Sequence, residues 1–172
     1  MSGLSRRGFV SGLGAALTLG ASAARARDSA LPVPGALRDE GRRAVQGGNP
    51  LVLLATLPGC PYCELVRRNY LLPMRSEGLP AWQFDVTDRQ TPILDFNGER
   101  SHGAALSARW KATFTPTVLF LGADGRELAE RLVGVAVPDF YGAYLEAALA
   151  AARETLRAPP AKPAPRPSAQ AT

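Results

Sequence analysis

The chain is poor in metal ligands. Its 172 residues include two cysteines, Cys60 and Cys63, and one histidine, His102. A zinc or iron–sulfur centre needs more thiolates or imidazoles than these three side chains supply. Covalent haem attachment needs a histidine directly after the second cysteine, and here that residue is Glu64. No cysteine lies in residues 1–26, which excludes lipid attachment there. Charge of one sign is also scarce where it would matter. The formal net charge is +5, but Arg6, Arg7 and Arg25 sit in an N-terminal leader, and Lys162 and Arg166 in a Pro/Ala-rich tail; without them 15 basic residues face 15 acidic ones. A neutral domain has no general hold on phosphates, so nucleic-acid binding is not expected. A long apolar run is missing too. Residues 8–24 are short and glycine-broken for a membrane span. No internal repeat is present.

What the sequence does contain begins with the leader. Ser5-Arg6-Arg7-Gly8-Phe9-Val10 resembles the twin-arginine export signal, a receptor-read address rather than an anchor. A Gly/Ala-rich stretch and Ala24-Arg25-Ala26 follow, in the layout of a cleaved signal. Residues 1–26 are therefore read as the signal, cut near Ala26, and the mature protein is expected in a periplasm-like, oxidising space where cysteine pairs persist as disulfides. Residues 27–35 read as a linker, 36–157 as one domain, and 158–172 as a disordered tail.

Within the domain, residues 36–45 form a weak helical pattern. LVLLATL, 51–57, is a continuous apolar run of strand length, suited to a strand buried on both faces. A helix starts at CPYC with Pro61 at its first position and Cys60 as the capping residue. Pro73 is expected to stop it. Residues 81–87 alternate as a strand, 88–101 form a polar loop, and 103–112 are helical. TVLFL, 117–121, is a second buried strand; Asp124-Gly125 turns the chain, and 127–133 return as a hairpin partner. Residues 138–153 form an amphipathic helix, with Phe140, Tyr144 and Ala148 in one row and Tyr141, Leu145 and Leu149 beside them. This order predicts an α/β fold: a mixed sheet of about four strands, flanked by helices, with a parallel pair in its first half.

The cysteine spacing has its own chemistry. Residues three apart share one face of a helix's first turn, so the two sulfurs can close a disulfide. At the cap, unpaired N–H groups and the helix dipole stabilise a Cys60 thiolate and make it the attacking sulfur. Cys63, one turn in, would resolve a mixed disulfide. Two other readings stay open at this point. A copper-binding or metallochaperone site would use Cys60, Cys63 and His102, since soft thiolates suit Cu(I). A purely structural disulfide would close a very small loop. Thr115-Pro116, just before the buried strand, is either a cis-proline turn or an ordinary trans proline at a strand start.

CPYC at a strand-to-helix junction, a helix ending in Arg109-Trp110, TPT about 50 residues after CPYC, and the Asp124-Gly125 hairpin together resemble the thioredoxin superfamily over roughly residues 36–153. The similarity is to exported thioredoxin-like thiol:disulfide oxidoreductases. It implies a redox-active Cys60–Cys63 disulfide, a cis Thr115–Pro116 peptide opposite it, and a partner groove formed by Tyr62, Thr115, Pro116 and Gly134. It implies no cofactor. The partners implied are protein thiols and disulfides. The chain is expected to act as reductant rather than oxidant, fed by a membrane electron donor, and as a monomer, because there is no room for a dimerisation domain. Two departures stand out. Thioredoxin has Trp before its first cysteine, where this chain has Gly59, and a buried acid six residues before it, where this chain has Leu54. Glu64, Arg67-Arg68 and Arg42-Arg43 read as solvated residues, Trp82 and Trp110 as packing, and Asp85 and Asp88 as strand-end and loop caps.

Overall fold

The computed structural model describes residues 30–158. Residues 1–26, read as an export signal, and most of the segment read as a disordered tail lie outside the described residues.

Helix α1 is Leu37–Gln46. Strand β1, Leu51–Thr56, is buried along its whole length, as its unbroken apolar run demands. Its side chains alternate. Leu51, Leu53 and Ala55 join one core, with Leu37, Phe84, Leu106 and Leu119. Val52 and Leu54 join the other, with Val66, Phe120, Leu145 and Leu149. Each buried leucine of this strand contributes roughly 1.5–3 kcal/mol relative to exposure.

Strand β2, Ala81–Asp85, runs parallel to β1, and β5, Thr117–Leu121, runs antiparallel on its other side. With β6, Leu132–Val133, they make a four-stranded mixed sheet in the order β2-β1-β5-β6. This is the expected α/β architecture. A separate two-stranded piece pairs β3, Ile93–Leu94, with β4, Arg100–Ser101. Helix α4 spans Gly103–Trp110, and α5 spans Tyr141–Arg157 after a short 3-10 turn, Pro138–Phe140.

Several local expectations are corrected. The CPYC helix does not stop at Pro73. It begins as α2, Pro61–Val66, widens into a π-helical segment, Arg67–Leu71, and continues as α3, Leu72–Ser76, with Pro73 in its first turn. The Leu72 N–H bonds back to Arg67 O, five residues earlier. The wider turn admits a proline ring that would clash with the preceding turn of a regular helix. The segment read as a linker, 27–35, is part of the fold from Leu31 onward. Leu31 is 2% exposed, Pro32 O accepts from Gln83 N at 3.0 Å, and Gly35 O from Leu94 N at 2.9 Å. The hairpin return is shorter than the pattern 127–133 suggested. Only Leu132–Val133 form a ladder with β5, plus one isolated bridge from Glu127 to Leu121. Arg131 turns instead to Trp110 O, at 2.6 Å, and to the Glu127 carboxylate. Of the two rows on α5, Tyr141, Leu145 and Leu149 are buried, whereas Phe140 and Tyr144 are exposed. The polar loop 88–101 holds a buried anchor: Asp95 accepts from Asn97 N at 2.8 Å and Glu99 N at 3.0 Å, and pairs with Arg109 at 2.6 Å. Trp110 packs against Phe84 and Phe96, at centroid distances of 6.1 and 6.3 Å, and Arg75 lies 4.5 Å over the Trp82 ring, so both tryptophans are packing residues as expected.

A Cβ on Gly103 would lie 1.9 Å from Asp85 O, so Gly103→Ala forces α4 off the end of β2. The expected loss is about 2–3 kcal/mol, read as a lower urea midpoint. Gly35→Ala, with nothing within 4 Å of the added Cβ, should change stability by less than about 0.5 kcal/mol. Burial alone would raise the Asp95 carboxyl pKa, but the N–H groups of Glu99 and Asn97 and the Arg109 guanidinium outweigh it and hold the pKa below its ordinary value. Its contribution is therefore complete above the unfolded pKa of about 4 and is lost as pH falls through the lower folded value. Urea midpoints measured down the acid limb should fall less steeply in Asp95→Asn than in the parent protein.

Candidate active site

The sheet register assembles the site. Ala55 on β1 pairs with Thr117 on β5, so the chain leaving β1 meets the chain entering β5. After Thr56, residues Leu57-Pro58-Gly59 lead to Cys60; Gly59 holds φ +73°, a conformation that favours glycine. Before Thr117 lies the Thr115–Pro116 peptide, which is cis. Thr117 also pairs with Val133 on β6, and Gly134 N donates to Pro116 O at 2.7 Å. Three sequence-distant pieces therefore share one end of the sheet: Cys60–Cys63, Thr115–Pro116 and Gly134.

Cys60 and Cys63 form a disulfide, with Cα atoms 5.3 Å apart. Cys60 is the N-cap of α2, and its Sγ accepts from Cys63 N at 3.2 Å. The Thr115 hydroxyl lies 3.8 Å from the same sulfur. Cys63 is 0% exposed, while Cys60 is half-buried. The two sulfurs are thus unequal. One faces the surface and already receives a backbone N–H; the other is closed inside. Tyr62, Phe114 and Val133, which neighbour Cys63, Thr115 and Gly134 in the chain, are exposed by 54%, 76% and 55%. Tyr62, Thr115, Pro116 and Gly134 all lie at this end of the sheet. Phe114 was not singled out, although it directly precedes Thr115.

Behind the helix the sequence reading needs correction. Arg67 is not solvated: it is 7% exposed. Its Nε donates to Gln83 Oε1 at 2.7 Å, one terminal nitrogen donates to Thr56 Oγ1 at 3.0 Å, and the other pairs with the Glu64 carboxylate. Glu64 also meets Arg68 at 3.2 Å and is partly exposed rather than free in solvent. The signal was available in the spacing, because Arg67 stands one turn after Cys63 on the buried face of the helix. Leu54, where thioredoxin carries an acid, is fully buried in the core. A cleft of about 170 Å³ runs past Thr56, Glu64, Arg67, Gln83 and Asp85. Asp85 and Asp88 cap their own loop, through Thr87, Gln90 and Thr91, as expected. Arg42 and Arg43 are exposed.

The copper reading does not gather its ligands. His102 is the N-cap of α4, where its Nδ1 accepts from Ala105 N at 3.2 Å. Among the described residues no three His, Cys, Asp or Glu side chains are grouped to hold a metal.

A cysteine pair with one accessible sulfur at a helix cap and one enclosed sulfur, on a sheet of this order, defines a thiol:disulfide oxidoreductase site. Residues 37–149 match the family model described as a thioredoxin-like domain, and the chain belongs to that family. It is similar in structure to thioredoxin O2 from Arabidopsis thaliana in its oxidized state, at 14% identity over 70% of this chain and 96% of that one, TM-score 0.46. It is also similar to thioredoxin NaTrxh from Nicotiana alata, at 15% identity over 70% and 98% of the two chains, TM-score 0.46. A third likeness is to the DsbH oxidoreductase, at 16% identity over 81% and 95%, TM-score 0.47. No curated protein matches the chain.

The inequality of the sulfurs gives a direct expectation. In the reduced protein, iodoacetamide should alkylate Cys60 at least about tenfold faster than Cys63, read by peptide mass mapping over time. Equal rates would contradict the geometry.

Proposed function

We propose that this protein is an exported, periplasmic thioredoxin-like reductant that exchanges electrons with protein disulfides through Cys60 and Cys63. The observation that carries the reading is the half-buried Cys60 sulfur at a helix cap, under Cys63 N and beside the Thr115 hydroxyl, with Cys63 enclosed behind it.

The steps balance within the chain and its partner. The Cys60 thiolate attacks one sulfur of a partner disulfide, and a mixed disulfide forms as a partner thiolate leaves. Cys63 gives up its proton to water and attacks the Cys60 sulfur. The Cys60–Cys63 disulfide re-forms, and the second partner thiolate departs. Two electrons pass to the partner. Tyr62 supplies an apolar contact, Thr115 and Pro116 present backbone to an extended partner segment, and Gly134 leaves space for it. A Cβ on Gly134 would meet nothing within 4 Å, which supports an open approach there.

Oxidation leaves the protein needing electrons again, and the Ser5–Val10 signal supports export, so a membrane electron donor is the matching source. The direction is supported by charge. A strong disulfide donor depends on a heavily stabilised reduced form, whereas Arg67, the buried basic residue among those described, is paired with Glu64. No cofactor enters the cycle, and a monomer suffices for it. Among the described residues no helix is long and apolar enough to cross a membrane.

Trapping tests the reading. Cys63→Ser, expressed in its own compartment and quenched with acid, should accumulate mixed disulfides that reducing agent releases. The Cys60→Ser, Cys63→Ser double variant should accumulate none. Absence of any trapped partner with Cys63→Ser would sink the proposal and leave a structural disulfide.

A further inference from the structure

Granting that the pair exchanges electrons, we infer that Arg67 and Glu64 are positioning residues of opposite sign that set how readily it accepts them.

The geometry is specific. Cys60, Cys63, Glu64 and Arg67 are spaced at i, i+3, i+4 and i+7, one stripe of the helix. Cys63 is fully buried, and the Arg67 side chain is only 9% exposed. The Arg67 backbone N–H bonds to Cys63 O, so the two residues stand one helical turn apart. The guanidinium cannot swing away, because Thr56 on β1 and Gln83 on β2 hold it. It is a fixed, nearly buried charge one helical turn from Cys63, on the wall of the cleft. Leu54 on β1 is apolar and fully buried, so among the described residues the buried charge on this stripe is the Arg67 guanidinium.

Reduction of the disulfide takes up two electrons and one proton and leaves a Cys60 thiolate with a Cys63 thiol. The pair gains one negative charge. A fixed cation favours that state, and a fixed anion disfavours it. Arg67 therefore pulls the equilibrium toward the reduced pair, and Glu64, bound to it, pulls back. The remaining carboxylates of the cleft, Asp85 and Asp88, are engaged with their own loop. Arg68 meets the other Glu64 oxygen, Oε2, but is 63% exposed, and solvent screens it.

The test is redox equilibration of the purified protein in graded reduced and oxidised glutathione, with alkylation to count thiols. Arg67→Met should move the equilibrium constant about tenfold toward the oxidised pair, a potential lower by about 30 mV. Glu64→Gln should move it severalfold the opposite way, and Arg68→Met by less than about twofold. Arg67→Lys should restore most of the parent value. Thiolate absorbance should report the same signs, with the Cys60 pKa rising in Arg67→Met and falling in Glu64→Gln. A role confined to tying helix to sheet would lower thermal stability without opposite shifts in potential. Shifts of one sign, or none, overturn the inference. If Arg67→Met fails to fold, the partly exposed Glu64 still decides it, since Glu64→Gln must raise the potential. A parent pair that never equilibrates would remove the exchange reading itself, a different result from a pair that equilibrates but ignores these substitutions.

Discussion

The placement of β1 between a parallel neighbour and an antiparallel one is the constraint from which the rest of the structure follows. The parallel pairing with β2 requires a crossover, and α2, the π-helical segment and α3 provide it. The helix must therefore begin just past the end of β1, and that puts Cys60 at its cap. The antiparallel pairing with β5 requires a strand that enters where β1 leaves, and that puts Thr115–Pro116 against the cysteines. Neither the motif nor the loop finds the other by local preference. Both are brought together by main-chain pairing in a core that buries both faces of one strand.

The site then divides labour between backbone and side chain. The cap N–H meets the outer sulfur, and the side chains behind the helix gather around the Arg67 guanidinium. Placing a guanidinium there is costly unless its donors are met, and Thr56, Gln83 and Glu64 meet them on three sides. These partners come from β1, β2 and α2, so the same contacts that satisfy the charge also fix the helix to the sheet.

Much of this was legible in the sequence, for physical reasons. A continuous apolar run such as Leu51–Thr56 fits only a strand covered on both sides. Pro61 after a capping cysteine has few other uses than to start a helix. The lower legibility elsewhere has equally specific causes. Pro73 read as a stop because its effect on a regular helix is strong, but one π-turn upstream removes the clash. Arg67 read as solvated because arginine usually is, and its burial depends on Gln83, sixteen residues away, which no local pattern reveals. Leu31 looked like linker because prolines and a glycine surround it, whereas a sheet edge needs only a carbonyl from that segment and one apolar side chain.

That last segment has a broader consequence. A sheet's outer strands are where protein chains recruit one another into fibrils. Here one outer strand, β2, is covered by residues that precede α1, through Pro32 and Gln83. The other, β6, is two residues long and ends at a glycine in a left-handed turn. One edge is thus partly occupied and the other is very short, and both features limit strand-to-strand recruitment.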